Sequence, residues 1–400
     1  MLSNLLKGLF VFSILYDTTF KAIPITTARL GILGLFLVIM LTKRITLKKD
    51  LFSIIIPLLI FAAFSILQGA YSNDFTQTSR LLFFTLYSVI GAYFFVPYIR
   101  GKEELLWLFL IACSFQSIIL ISTFFTPSVK SFLGSMIEFG GNFKEDNVYR
   151  SFGLASTTGA ALSVIQSIGV ISSVYILKYY RPKRQMFANI VLLMGILCFL
   201  SSITAGRTGV IIGLVFFIFL LFRTFSVKSL FVGTIVFFAI FVLDIESLAI
   251  KMLGQIEGFS TEYFIDKWLK EGLSTQDNET LNAINRMKVP PIGWDTIIGT
   301  GKIVGLSGEN ASGNDSGYIQ TYYSLGLILS ICFYGGLFWY CLNKIRRGRQ
   351  KDIMCLIVLI VFLIEYKEPF IFKYALPFFL FSLLYIETQK NNNLKNESAI

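Results

Sequence analysis

The chain is a succession of apolar runs, many of them 17 or more residues long, separated by short turns rich in lysine and arginine. A helix rising about 1.5 Å per residue needs about 20 residues to cross roughly 30 Å of hydrocarbon. Inside lipid each backbone polar group must be satisfied within its own segment, so runs of this length specify helices. The fold class is therefore an all-α polytopic membrane protein. Composition agrees, with 55% hydrophobic residues, 16% aromatics and a mean hydropathy of +0.70.

Twelve transmembrane helices are expected, at 5–19, 25–42, 51–68, 79–98, 104–125, 155–179, 187–204, 208–222, 229–248, 316–342, 353–365 and 369–386. The first is the weakest, because Lys7 and Asp17 bracket a short core; no small-residue cleavage pattern follows, so it reads as an uncleaved span. The organisation is then residues 1–250 as helices one to nine, 251–315 as one large external loop, 316–387 as the last three helices and 388–400 as a polar, Asn-rich, disordered cytoplasmic tail. Aromatic-rich spans read mainly as lipid-facing.

Loop charge sets the orientation. Lys43, Arg44, Lys48 and Lys49 fill one turn, and Arg100, Lys102, Lys178, Arg181, Lys183, Arg184, Arg223, Lys228, Lys344, Arg346, Arg347, Arg349 and Lys351 fill the others on that side. The positive-inside rule makes these turns, and both termini, cytoplasmic. The formal charge of +11 is thereby a topological signal and not a nucleic-acid footprint. The remaining polar matter, including 72–78, 126–153, 205–207, 251–315 and 366–368, faces outward. An enzyme there has no ATP and must use a pre-activated donor. Within the large loop, Ile256, Phe259, Tyr263, Phe264 and Trp268 recur at helical spacing and predict a bilayer-surface amphipathic helix, with a second short helix over 278–287.

Several chemistries are excluded. The chain has no histidine, which removes His-based metal sites and His general bases. Its five cysteines lie in or beside apolar runs without metal-ligand spacing, no Asp-x-Asp pair is present, and no internal repeat of the kind common in secondary transporters is visible. No cofactor is called for.

The candidate residues gather on the external side. Arg207 occupies so short a turn that its guanidinium lies at the membrane edge, where it either snorkels to water or clamps a phosphate bidentately. Arg150 precedes a helix whose first turn, 155–159, is small and polar, a setting that offers unpaired N–H groups to an anion. Arg80 and Arg286 lie on the same side, as does Lys302. Asp315 ends the large loop as either a general base or the N-cap of the next span. Glu365, Lys367 and Glu368 share the tight turn between the last two spans, which is either simply solvated or functional. Tyr318, Tyr322 and Trp294 lie near these residues, either as lipid-facing aromatics or as flat faces for a ligand.

The segments Arg150-Ser-Phe-Gly153, Ser202-Ile-Thr-Ala-Gly-Arg-Thr-Gly209, Gly293-Trp-Asp-Thr-Ile-Ile-Gly-Thr-Gly301, Asp315-Ser-Gly-Tyr-Ile-Gln-Thr-Tyr-Tyr-Ser-Leu-Gly326 and Glu365-Tyr-Lys-Glu-Pro-Phe370 resemble, in order and loop placement, the O-antigen polymerase (Wzy-type) and O-antigen ligase superfamily. The resemblance covers the chain from Arg150 onward. It implies a GT-C-like membrane glycosyltransferase at the outer face of a bacterial inner membrane, joining undecaprenyl-diphosphate-linked oligosaccharide repeat units into O-antigen or capsule without a metal. A chain-length regulator protein is an implied partner. Arg207, Arg150 and Arg286 would bind diphosphate, with Arg80 and Lys302 in support, and Asp315 or Glu368 would be the base. Ligases of the superfamily typically carry a histidine near the end of the large loop, where this chain has Asp315; that departure favours the polymerase. A polysaccharide or lipid-linked oligosaccharide exporter is the rival from another class and would need charges buried mid-membrane.

Overall fold

A computed structural model describes residues 3–42, 47, 49–139, 151–180, 184–224, 288–305, 308–346 and 350–397. The chain is helical, and among the described residues there is no strand. The helices are α1 (Asn4–Tyr16), α2 (Thr27–Thr42), α3 (Lys49–Ser72), α4 (Thr76–Tyr98), α5 (Lys102–Phe125), α6 (Pro127–Met136), α7 (Gly159–Tyr179), α8 (Gln185–Ala205) and α9 (Arg207–Thr224). After the large loop come α10 (Trp294–Ile298), α11 (Gly317–Leu325), α12 (Leu327–Ile345), α13 (Lys351–Glu365) and α14 (Ala375–Glu397). Six of them, α3, α4, α5, α7, α8 and α12, are long and apolar enough to cross a membrane. Four shorter apolar helices accompany them, α1, α2, Arg207–Leu220 within α9 and Ala375–Thr388 within α14. The expected span at 229–248 and the amphipathic helices of the large loop lie outside the described residues.

Three expectations are corrected. The run at 316–342 is two helices, because Gly326 stands at φ +95 and a side chain there would collide with the Ile297 and Ile298 carbonyls. Only glycine takes that conformation at little steric cost, so the chain turns there and lays α11 beside α10. Residues 388–397 continue α14 as helix where a disordered tail was expected. Many aromatics are interior: Phe84, Phe95, Phe109, Phe333, Phe370, Phe378 and Phe379 are all fully buried.

The chain forms two compact units. The first comprises Met1–Thr18, Ile25–Ala112 and Met287–Ile400. Its core is aromatic. In α4 the α-helix Thr76–Phe83 widens into a π-helix over Phe84–Ile90, a local irregularity often found at functional sites. Phe84 meets Phe333, Phe372 and Phe381 edge to face at 6.0–6.2 Å, and Phe333 stacks on Phe372 at 5.5 Å. Such pairs contribute about 0.5–1.5 kcal/mol each beyond area burial. At the end bearing Lys7, the buried ammonium is paired with Glu104 at 2.5 Å, and Lys102 is paired with Glu387. A lysine buried in α1 is tolerated because its charge is met.

The second unit comprises Thr19–Pro24 and Cys113–Arg286. Its centre is α7, buried along 89% of its apolar window against α8 and α9. Small residues set the spacing: a Cβ on Gly169 would stand 2.5 Å from Cys198 Sγ, and one on Gly206 would stand 2.8 Å from the Gly159 carbonyl oxygen. Serine hydroxyls knit the same helices, Ser201 donating to Ser117 at 2.8 Å and Ser117 to Gln166 at 3.2 Å. Close small-residue packing and interhelical hydrogen bonds are what hold helices together in lipid, where no hydrophobic force distinguishes a neighbour from an acyl chain.

Candidate functional site

The polar chemistry of the first unit lies where α3 meets α4, where α11 begins and where α13 ends. Asp74 sits in the α3–α4 turn and accepts the backbone N–H groups of Ile303 at 2.6 Å and Val304 at 2.9 Å, which pins the segment leading to α11. Partial burial pushes its carboxyl up, but the hydrogen bonds from Thr76, Val304 and Ile303 outweigh that and hold it below the usual carboxylate value. One turn into α4, Arg80 is half-buried and donates from Nη1 to Gln320 Oε1 at 2.8 Å. Gln320 in turn donates from Nε2 to the carbonyl oxygens of Asp315 at 3.0 Å and Asn314 at 3.3 Å. One amide thus couples the guanidinium to the loop end that carries Asp315.

Asp315 is exposed, and its carboxylate accepts from Asn310 Nδ2 at 2.5 Å. It does not cap the next helix. The residue before α11 is Ser316, whose N–H is taken by Asn314 Oδ1 at 2.9 Å, and no side-chain cap is formed. The N-cap alternative raised by the sequence is therefore removed.

Glu365 is the last residue of α13 and is fully buried. Its Oε1 accepts from the Tyr334 hydroxyl at 2.8 Å and its Oε2 from the Ile371 N–H at 2.7 Å. Tyr334 also shares a 2.9 Å hydrogen bond with Thr321. Arg80 feels the charge of Glu365 and of Asp74. Burying a carboxylate costs several kcal/mol, offset here by two donors and a nearby cation. Gly317 is required by this arrangement, since a Cβ on it would stand 2.5 Å from Glu365 Cδ. The turn after α13 is not merely solvated: Glu365 is interior, Glu368 is paired with Lys373 at 2.5 Å, and Lys367 is half-buried.

Tyr318 packs its ring against Tyr334 at 4.6 Å and donates to the Phe362 carbonyl at 2.6 Å, so one of its faces is occupied. Trp294 is 79% exposed and open to a partner. Lys302 is exposed on the segment that Asp74 holds. Arg207 belongs to the second unit, where it is the first residue of α9 and half-buried. There the start of α9 lies against the start of α7: Gly209 N–H donates to Ser163 Oγ at 3.0 Å, and Gly206 abuts Gly159. Two adjacent helix N-termini beside a guanidinium form an electropositive environment suited to an anion. Arg150 and Arg286 lie outside the described residues.

Sequence reasoning missed Gln320, Thr321, Tyr334 and Gly317, and a further cluster around Asp17. Asp17 accepts from the Tyr374 hydroxyl and from the Ala28 N–H at 3.2 Å, and Tyr374 stacks on Tyr87 at 4.8 Å. Tyr334 lies mid-run among apolar residues and carries no local signal, and Gly317, Gln320 and Thr321 are uncharged positions within the longer Asp315–Gly326 segment. Among the described residues no group of His, Cys, Asp or Glu side chains is arranged to hold a metal ion. Comparison with protein-family models, with characterised proteins and with solved structures gives no match.

Proposed function

We propose that the chain is a metal-independent, GT-C-like glycosyltransferase of about twelve spans that polymerises undecaprenyl-diphosphate-linked repeat units at the outer face of a bacterial inner membrane. In the reaction a hydroxyl oxygen of the acceptor sugar forms a bond to the donor's anomeric carbon. The bond from that carbon to the diphosphate oxygen breaks, undecaprenyl diphosphate leaves, and a base takes the hydroxyl proton. The demands are proton removal and stabilisation of the departing charge.

The observation that carries the reading is the Gln320 bridge, which holds Arg80 on one side and the Asp315 backbone on the other. One side chain thereby holds a cation suited to diphosphate and the backbone of the residue that carries an exposed carboxylate. Asn310 orients the Asp315 carboxylate, which serves as base. Glu365 is a positioning residue that holds Tyr334 and attracts Arg80, and Glu368 is the second choice of base. By the sequence resemblance Arg207, Arg150 and Arg286 bind diphosphate, and in the first unit Lys302 and Lys367 supply positive charge. The buried serine track on α7 is the feature that would favour an exporter. Its buried polar side chains include no charged one that could meet an anion, and Ser163, Ser167 and Ser173 donate to backbone carbonyls.

The test is the ladder of chain lengths in cells lacking the native gene. Gene loss should leave single repeat units on lipopolysaccharide; a surface with none would make the chain the ligase instead. Asp315→Asn keeps shape and hydrogen bonding but takes no proton at neutral pH, so polymer should disappear at unchanged protein level. Normal ladders from that variant would move the base to Glu368.

A further inference from the structure

The segment 288–304 holds large apolar side chains in the open: Trp294 is 79% exposed, Ile292 71% and Val289 64%, and Ile298 and Val304 are exposed as well. Trp294 and Ile298 stand four residues apart and share one face of α10. Thr296 is turned inward, where its hydroxyl donates to the Pro291 carbonyl at 2.9 Å.

The backbone beneath these side chains is firmly held. The N–H groups of Thr300 and Gly301 donate to the carbonyls of Tyr323 and Ser324, each at 2.9 Å. Gln68 Nε2 donates to the Ile298 carbonyl at 2.7 Å, and Ser72 Oγ donates to the Gly301 carbonyl at 3.1 Å. The segment is thus fixed to the end of α3 and to the end of α11, with its apolar side chains left outside. Such an arrangement escapes the cost of hydrating apolar surface only where the surroundings are themselves apolar.

What surrounds them follows from where they are held. Gln68 and Ser72 lie in the last turns of α3, a helix long and apolar enough to cross a membrane. On those same turns Leu67 and Tyr71 are exposed. The helix α12, which also packs on α10, opens with Ile328 and Ile331 exposed. The apolar face of α10 therefore continues the outward apolar surface of two membrane-length helices at their ends. Tryptophan and tyrosine are the residues that gather where headgroups meet hydrocarbon, and Trp294 and Tyr71 both stand there. Lys288 and Lys302 are exposed at the two ends of the segment, with stems long enough to keep their charge among lipid phosphates.

We infer that residues 288–304 form a bilayer-interface anchor, with Trp294 and Ile298 in the lipid at the boundary of the hydrocarbon, where the sequence suggests part of an extramembrane loop. The partner is the lipid surface itself. This rests on the membrane class of the chain and not on the polymerase reading. The anchor sets a height. Because α10 is bonded to α11, and α11 carries the Gln320 that holds Arg80 and the Asp315 backbone, the depth of α10 fixes the level of that polar cluster against the membrane.

The experiment records tryptophan fluorescence of the full chain in phosphatidylcholine nanodiscs, quenched either by bromine on the acyl chains close to the headgroup or by iodide in the buffer. The chain has four tryptophans, so the signal of Trp294 is the difference between wild type and Trp294→Phe, with Trp294→Tyr in reserve should that variant express poorly. Bromolipid should remove about half of this signal or more, and iodide about a tenth or less. Trp339, exposed on α12 and read in the same way through Trp339→Phe, is the reference for lipid contact. A Trp294 signal quenched by iodide and untouched by bromolipid would place the segment in water and overturn the inference. A signal quenched by neither would mean that protein, such as a second copy of the chain, covers α10, and would overturn it as well. Both results would leave the polymerase reading to its own test by ladder length.

Discussion

Gly317→Ala tests the site's geometry with one methyl group. The added Cβ would stand 2.5 Å from Glu365 Cδ and 2.7 Å from Pro369 Cα, and closer still to Oε1. The proline contact is backbone, and the carboxylate is clamped by Tyr334 and Ile371, so neither neighbour yields freely. Overpacking of this kind costs about 1–3 kcal/mol. Swinging the carboxylate away instead forfeits a hydrogen bond to a charged group, about 1.5–3 kcal/mol. Either route predicts a loss of about 2–3 kcal/mol, read as earlier unfolding of purified protein in detergent, with shortened or absent ladders in cells. Gly336→Ala in α12 is the control, since nothing lies within 4 Å of its added Cβ. There the helix gains about 1 kcal/mol or less. Equal stability of the two variants would refute the claim that Glu365 is locked against Gly317.

Asp74→Asn should cost about 1–2 kcal/mol at neutral pH through weaker acceptance of the Ile303 and Val304 N–H groups. Because the folded carboxyl titrates below its unfolded value of 3.8, its contribution is complete above that pH and disappears as pH falls through the folded value. Unfolding curves of wild type and variant should therefore converge in acid; curves that stay parallel contradict the assignment. Arg207→Lys should damage polymer formation nearly as much as Arg207→Ala, because lysine loses the bidentate fork, and full-length polysaccharide from the lysine variant returns Arg207 to a topological role. A reporter fused at Gln276 should read as external and one at Arg347 as cytoplasmic; an external carboxyl terminus would invert every proposed site residue.

What the sequence determined by itself is the membrane class and its helices. Hydrophobic length is a local property, and in lipid a long apolar run has little choice but helix, so the runs behind α3, α4, α5, α7 and α8 are legible residue by residue. Arginine and carboxylate positions were legible too, as departures from an apolar background. Only tertiary structure decided which of them meet. Gln320 joins Arg80 to Asp315 across 240 and 5 residues of chain, a pairing for which neither segment has a periodic signal. The break at Gly326 depends on carbonyls of α10 that a hydropathy window does not contain. Glu365 reads as a surface turn because the sequence shows its charged neighbours and hides the donors that make its burial tolerable, a tyrosine 31 residues earlier and a backbone N–H beyond a proline. Burial of a charge is decided by whether distant groups converge to satisfy it, and convergence is a property of packing.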